Sequence, residues 1–444
     1  MSSPGTTPTA AQILTALTPA ADPNGGAPLP AYYGMVMLGL ASQAYTTQGS
    51  SDWAQIQASL YTAITDTAYT PALPSPLDVL AQGPTVAGRW SLDWGPANGQ
   101  DGDGDNSNLM YIASYRAPPV GSATQGAPYF FVVSIRGTDT AITGTPLIQQ
   151  LLQDIRDFEL KSWPLLLSGK DALDGSVPAP NGRDVSGING HVAHGSMLGF
   201  IKLANFTAPL NDGAAPSNGG NAVTVTAALN SLVAQYGRVP IVVTGHSLGA
   251  CQTQLMASYL AWQFPVCAVI PFGYAPPTAG DGAFVATYAK QCPAGQFWYN
   301  TYDVVPFAYI TMTVDGKTQS GLSWAGQNLW TRYPWPPQPG VLTQNGPPLP
   351  VEMTDLIDTV GTLIPSSYMR PANGVFALPG NIPQESEIAS LLSGMGMMTL
   401  APAGGLAQLI WQHFPPCYAA LMNTQYGGVL APFAFAAYKP APAG

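Results

Sequence analysis

A serine set between two glycines is the first residue of this chain whose surroundings suggest chemistry. Ser247 lies in Gly-His-Ser-Leu-Gly at 245–249, after the apolar, β-branched run Pro240–Thr244 and before the helical pattern of Ala250–Gln263. Strand, tight turn and helix in this order predict a strained turn, which flanking glycines permit because they carry no Cβ atom. Such a turn would present the Ser247 hydroxyl as a nucleophile. Glycine is common in this chain, so the pattern gains its weight from the elements around it.

A serine hydroxyl needs a general base beside it, and histidine is the usual base. Sites built on such a turn place the histidine after the serine in the chain. His191 and His194 precede Ser247. The side chain of its neighbour His246 should point away from the hydroxyl, so His246 is predicted to lie beside the site without acting as the base. The fourth histidine, His413, lies in Trp-Gln-His-Phe-Pro-Pro, where a proline break ends a helix. His413 is therefore the predicted base, with a partly buried structural histidine as the alternative.

The base in turn needs a carboxylate to orient it. The aspartates between the serine and the histidine are Asp281, Asp303, Asp315, Asp355 and Asp358. Asp303 directly follows the strand-like run Gln296–Tyr302, and active-site residues gather at the carboxyl ends of parallel strands. Asp281 begins a helical segment and is better explained as an N-cap residue. Asp303 is therefore the predicted carboxylate.

Acyl transfer through a serine creates a negative oxygen, which preorganised N–H groups must stabilise. One candidate donor is the backbone N–H of Leu248, at the N-terminus of the predicted helix. The other is expected at Thr138, in the loop after the buried strand Pro128–Ile135. Gly137 and Asp139 flank Thr138, and both are predicted to lie beside the site.

Strand-like and helical segments must hold these residues together. The predicted strands are Val86–Trp94 and Leu109–Arg116, which form a hairpin, then Pro128–Ile135, Pro240–Thr244, Val266–Tyr274 and Gln296–Tyr302. The predicted helices are Ala31–Tyr45, Ser51–Tyr69, Pro146–Leu160, Val192–Ala208, Asn221–Tyr236, Ala250–Gln263, Asp281–Lys290, Glu385–Met398 and Gly405–Met422. Their alternation predicts an α/β fold, with a mainly parallel sheet covered by helices on both faces.

The domain organisation follows from where this rhythm holds. Residues 1–30 are rich in Pro, Thr, Ala and Gly and predict a flexible N-terminal arm. Residues 31–444 are predicted to form a single domain, with irregular insertions at about 161–190 and 311–400. Asp101, Asp103 and Asp105 invite a calcium interpretation, but an EF-hand would need an acidic residue where Ile112 stands, which favours a solvated acidic turn.

Composition and charge argue against some classes of binding partner. The net charge is −10, only 9% of residues are charged, and 46% are hydrophobic. An acidic chain of this kind is not expected to bind nucleic acid. No apolar run approaches the roughly 18 residues of a membrane span. The N-terminus lacks the basic region of a secretory signal, which leaves the compartment undecided. Four cysteines, Cys251, Cys267, Cys292 and Cys417, leave open one or two disulfides.

Several motifs occur in an order that resembles a known family. They are Ser-Ile-Arg-Gly-Thr at 134–138, Val-Ala-His-Gly at 192–195, Gly-His-Ser-Leu-Gly at 245–249, Phe-Gly-Tyr-Ala-Pro-Pro-Thr-Ala-Gly-Asp at 272–281 and Tyr-Asp-Val-Val-Pro at 302–306. Together they resemble the class 3 lipases, the fungal type of α/β-hydrolase. The resemblance covers about residues 85–310 and extends to His413.

The resemblance implies an α/β-hydrolase fold with inserted lid and cap segments, a Ser247–Asp303–His413 triad, and an oxyanion residue at Thr138. It implies hydrolysis of triacylglycerol or simpler esters without a metal or organic cofactor. It also places a lid near 139–160 and sets His194 and Gly195 beside the site without an acid–base role. The chain departs from the family in the long gap between Asp303 and His413, and in Pro-Pro-Thr-Ala-Gly at 276–280.

The expected substrate is a neutral, apolar ester. The apolar stretches Pro146–Leu152 and Ile388–Met398 could open onto a lipid–water interface. The alternative for both is ordinary core, which fits Ile388–Met398 equally well. Three other activities stay open: a short-chain esterase or polyesterase, an acyltransferase, and a catalytically inactive lipid-binding protein on the same fold.

Overall fold

The computed structural model describes residues 30–45, 52–66, 70, 86–99, 108–121, 123, 125–137, 159–170, 176–178, 184–212, 221–307, 309–314, 316–321, 324–325, 368–371, 374–380 and 411–426. Several predictions of the sequence fall outside these residues. They are the arm over 1–29, the aspartates at 101–105, Thr138 and Asp139, the lid segment at 139–158, and the helix at 385–398.

The described elements follow the predicted alternation. The helices are α1 (Pro30–Gln43), α2 (Trp53–Thr65), α3 (Trp163–Leu167), α4 (His194–Asn205), α5 (Val225–Tyr236), α6 (Leu248–Gln263), α7 (Gly282–Gln291) and α8 (Pro415–Tyr426). The strands are β1 (Arg89–Gly99), β2 (Asn108–Arg116), β3 (Pro128–Ile135), β4 (Leu160–Ser162), β5 (His191–Ala193), β6 (Thr207–Pro209), β7 (Ala222–Thr224), β8 (Ile241–His246), β9 (Val269–Tyr274), β10 (Gln296–Asn300), β11 (Thr311–Val314), β12 (Lys317–Ser320) and β13 (Val375–Leu378).

A seven-stranded sheet forms the centre of the described part of the chain, in the order β1-β2-β3-β8-β9-β10-β13. The first three strands pair antiparallel, and all the later pairs are parallel. The mainly parallel sheet that the sequence predicts is therefore confirmed. The parallel strands β3, β8 and β10 end at one edge, and the loops that follow them bring the site residues together.

Helices cover both faces of this sheet. Along β3, Phe130 and Val132 pack into the core beneath α1, α2 and α8, whereas Phe131 and Val133 pack beneath α4, α5, α6 and α7. This alternation follows from the two-residue period of a strand. Helix α1 is buried on all sides from Tyr33 onward, as a helix without a polar face must be.

Two segments that the sequence predicts to be irregular contain short elements. At the two ends of 161–190, β4 pairs with β5, and Trp163 of α3 is fully buried. Within 311–400, β11 and β12 form a hairpin, and β13 pairs in parallel with β10 to complete the sheet. Strands of three or four residues depend on a distant partner, so no local pattern marks them. The boundaries of the arm and of a single domain stay predictions.

All four cysteines are free and buried, which settles the open question of disulfides. A membrane crossing would require a longer apolar helix than any formed by the described residues.

A buried ion cluster joins the antiparallel hairpin to α5. Arg116 Nη2 lies 2.7 Å from Asp93 Oδ1 and 2.9 Å from Asp212 Oδ1, and Arg116 Nη1 donates to the Tyr236 hydroxyl at 2.9 Å. Burial raises the pKa of Asp93 to about 6, although Arg116 opposes the rise. The guanidinium therefore supplies the counter-charge for a fully buried carboxylate.

Replacing Arg116 with methionine should lower the free energy of unfolding by about 3–5 kcal/mol at neutral pH, because Asp93 loses its buried counter-charge. Arg116 lowers the pKa of Asp93, so without the guanidinium this pKa should rise above its native value of about 6, and the variant should become protonated at a higher pH than the native chain. The deficit should therefore shrink as the pH falls from about 8 to about 6. Urea unfolding across this range measures it, and a loss below about 1 kcal/mol at pH 7 would contradict the role of the cluster.

Candidate active site

Ser247 lies in the sharp turn between β8 and α6, as the sequence predicts. Its backbone has φ 60° and ψ −130°, a strained conformation for a residue with a Cβ atom. Its N–H donates to the carbonyl of Tyr274 at 2.9 Å, which ties the turn to the neighbouring strand β9. A Cβ atom on Gly245 would lie 2.3 Å from the oxygen of Gly249, and one on Gly249 would lie 2.4 Å from the oxygen of Ile135. Close backbone packing therefore requires both glycines.

Ser247, His413 and Asp303 form one hydrogen-bonded chain. His413 Nε2 lies 2.8 Å from Ser247 Oγ, and His413 Nδ1 lies 2.9 Å from Asp303 Oδ2. Because the Asp303 carboxylate accepts at Nδ1, the proton of the imidazole is placed there. Nε2 is then free to accept the proton of the serine hydroxyl. All three side chains are buried, which keeps their electrostatic interactions strong.

Asp303 is held by three further groups at the carboxyl end of β10. Its N–H donates to the carbonyl of Asn300 at 3.0 Å, and its Oδ1 accepts from the N–H of Val305 at 3.0 Å. The Tyr418 hydroxyl donates to Oδ2 at 2.8 Å. Burial, and then the nearby Asp303, raise the pKa of Tyr418 well above its usual value, so the hydroxyl keeps its proton. The carboxylate is thus fixed on both of its oxygens.

His413 lies where a short helical turn at 411–413 ends, immediately before α8. Asn300 anchors this turn, because its Nδ2 donates to the backbone oxygen of Gln412 at 2.9 Å and to the Gln412 side chain at 2.6 Å. Pro415 begins α8, a position that suits proline because the N–H it lacks has no helical acceptor there. The proline break that marked His413 in the sequence is therefore the start of α8.

The structure also brings two of the predicted neighbours against the site. His246 points away from Ser247 Oγ and toward Tyr45, whose hydroxyl lies 3.1 Å from His246 Nδ1. Gly137 follows β3, and its N–H donates to the same hydroxyl at 3.1 Å.

Of the remaining predicted residues, Leu248 and His194 lie in the part of the chain that the structure describes. Leu248 is the first residue of α6, so its N–H has no acceptor within the helix and lies beside the serine. His194 begins α4, and two residues later Ser196 Oγ lies 3.3 Å from Cys251 Sγ in the first turn of α6. Thr138 and Asp139 lie outside the described residues.

Sequence reasoning missed two tyrosines at the site, Tyr45 and Tyr418. Each comes from a helical region that looks like ordinary core, and each reaches its partner across more than a hundred residues of chain.

Asp281 is the N-cap of α7, as predicted, since its carboxylate accepts from the N–H of Phe284 at 2.8 Å. Its other contact is His191, whose Nδ1 lies 2.9 Å from Asp281 Oδ2.

Comparison with known proteins places this geometry in context. Residues 132–312 match the family model described as Lipase (class 3). The structure of M37 lipase aligns with 88% of this chain and 98% of its own, at 18% identity and a TM-score of 0.53, which shows a shared fold. The Yarrowia lipolytica LIP2 lipase aligns with 65% of this chain and 76% of its own, at 14% identity and a TM-score of 0.36. A comparison with curated proteins finds no match.

Proposed function

We propose that this chain, whose residues 132–312 match the class 3 lipase model, is a lipase of the α/β-hydrolase fold and hydrolyses apolar carboxylic esters through an acyl-enzyme on Ser247. The observation that carries the proposal is the hydrogen-bonded chain from Ser247 Oγ through His413 to Asp303. A hydroxyl, an imidazole and a buried carboxylate in this order are the parts that serine hydrolysis requires.

The first step is attack on the ester carbonyl. His413 Nε2 takes the proton of Ser247 as its oxygen bonds to the carbonyl carbon, and Asp303 stabilises the resulting imidazolium. The N–H of Leu248 and, from the sequence motif, that of Thr138 donate to the negative oxygen of the tetrahedral intermediate. The intermediate collapses as the C–O bond to the alcohol breaks and His413 returns its proton to the leaving oxygen.

The second step repeats this chemistry with water. His413 removes a proton from water, which attacks the acyl carbon, and the acid leaves as Ser247 regains its proton. These residues supply every proton transfer that the two steps need. Tyr418 supports both steps because its bond to Asp303 keeps the carboxylate in place.

The substrate we propose is a long-chain, neutral ester presented at a lipid–water interface. The family assignment supports an apolar ester. The net charge of −10 favours an uncharged substrate over an anionic one.

A rate profile tests this substrate class. With p-nitrophenyl esters from acetate to palmitate and with emulsified triolein, we expect hydrolysis of the long-chain esters and of the emulsion. The rate should rise further once the substrate exceeds its solubility and forms an interface. A rate that falls steadily with chain length, with no release of fatty acid from triolein, would instead indicate a short-chain esterase. Ser247→Ala serves as the control for hydrolysis that does not depend on this site.

A further inference from the structure

His246 contacts the base through the main chain. Its Nε2 lies 2.6 Å from the backbone oxygen of His413, and its ring centroid lies 4.9 Å from that of His413. A carbonyl oxygen can only accept a hydrogen bond, so His246 Nε2 must carry the proton. His246, the neighbour of Ser247, therefore holds the backbone of His413, the proposed base.

The other nitrogen of His246 must then accept. Burial, and then the nearby His413, lower the pKa of His246 well below its usual value, so the ring is neutral and Nδ1 has a free lone pair. The Tyr45 hydroxyl, 3.1 Å away, is the donor to Nδ1. The backbone oxygen of His246, at 3.3 Å from the same hydroxyl, is the more distant acceptor.

The Tyr45 oxygen also accepts a hydrogen bond. The N–H of Gly137, in the loop that leads to Thr138, donates to it at 3.1 Å. The hydrogen bonds thus run in one direction, from Gly137 through Tyr45 and His246 to the carbonyl of His413. Two buried side chains join the loop after β3 to the turn that carries the base.

The sheet fixes the position of Tyr45. Helix α1 ends just before this residue, and hydroxyls on the sheet donate to its carbonyls. Thr244 Oγ1 donates to the oxygen of Met37 at 3.1 Å, and Ser134 Oγ donates to the oxygen of Leu40 at 3.2 Å. The N–H of Tyr45 donates to the oxygen of Ser42 at 3.0 Å. Because Thr244 and Ser134 lie on β8 and β3, α1 is held in register with the strands that end at the site.

We propose that Tyr45 and His246 are positioning residues, which set the distance between Gly137, just after β3, and the base. This inference rests on the proposed function, since it assigns the two residues to the same ester hydrolysis. Neither side chain exchanges a proton with the substrate. Their loss should allow the backbone of Gly137 and His413 to move relative to each other. A misplacement of this kind reduces the stabilisation of the transition state more than it reduces the affinity for substrate.

Variants that differ by single groups test the proposal. Tyr45→Phe removes only the hydroxyl, and we expect kcat to fall by about 10- to 100-fold while KM changes less than about twofold. His246→Leu removes both hydrogen bonds and should lower kcat by about 100-fold or more. His246→Gln should recover part of this loss, because its amide N–H can reach the carbonyl of His413.

Tyr115→Phe is the matched control, because its buried hydroxyl donates to the carbonyl of Val86 at 2.7 Å in the hairpin, away from the site. Urea unfolding should show similar stability losses for Tyr45→Phe and Tyr115→Phe, whereas only Tyr45→Phe should lose kcat. A Tyr45→Phe enzyme with the kcat of Tyr115→Phe would overturn the proposal, and so would a His246→Gln enzyme no more active than His246→Leu. Failure of the proposed function would look different, since turnover would then survive Ser247→Ala.

Discussion

Replacing Ser247 with alanine should lower kcat on a p-nitrophenyl ester by about 10⁴- to 10⁶-fold. The alanine has no oxygen to form the acyl-enzyme, so only the oxyanion donors and substrate binding remain to accelerate the reaction. Alanine also carries a Cβ atom and therefore experiences the same backbone strain at φ 60°. Its stability should consequently stay close to that of the native chain, and the loss of activity can be assigned to chemistry.

Ser231→Ala provides the control for this prediction. Ser231 is an exposed serine of α5, where its hydroxyl donates to the carbonyl of Ala227 one turn earlier. This variant should keep full kcat and KM. A Ser247→Ala enzyme that retains a tenth or more of the native kcat would mean that another group performs the attack.

Asp303→Asn should lower kcat by about 10⁴-fold with little change in KM. An asparagine amide can donate to His413 Nδ1, which would favour the tautomer with the proton on Nε2 and prevent this nitrogen from accepting the serine proton. The neutral amide also fails to stabilise the imidazolium. The Tyr418 hydroxyl, which donates to Asp303 Oδ2, would lose an anionic acceptor at the same time.

Asp281→Asn is the matched control, because it makes the same chemical change at another aspartate between Ser247 and His413 in the chain, one that caps a helix. Asp281 caps α7 through the N–H of Phe284, and asparagine caps helices about as well as aspartate. Kinetics on the two purified variants should show near-native kcat for Asp281→Asn. A larger loss of kcat for Asp281→Asn than for Asp303→Asn would show that Asp303 is not the orienting carboxylate.

The part of the site that could be predicted lies in contiguous sequence. The strand, turn and helix around Ser247 are encoded within about 25 residues by a β-branched run, two glycines and a helical segment. Asp303 follows its strand directly, and His413 precedes a proline break. In each case the local pattern determines the local backbone. Each residue could therefore be placed at the end of an element without knowledge of its partners.

The rest of the site depends on contacts between distant segments. Tyr45 meets His246 only because α1 is held against the sheet by Thr244 and Ser134, and nothing in the sequence of α1 marks its last tyrosine. Tyr418 likewise lies in the largely apolar helix α8, and no local pattern distinguishes it from an ordinary core residue. The edge strand β13 is four residues long and forms because β10 offers a partner. Such features follow from tertiary packing, which local propensity does not encode.

The proposed mechanism requires that Ser247 Oγ is the atom that becomes acylated. Reaction with a p-nitrophenyl alkylphosphonate, followed by peptide mass spectrometry, measures this directly because the adduct resembles the tetrahedral intermediate and remains attached. We predict one adduct per chain, located on Ser247, with activity lost in proportion to labelling and no adduct in Ser247→Ala. An adduct on a different residue, or full ester hydrolysis by a chain completely modified at Ser247, would contradict it.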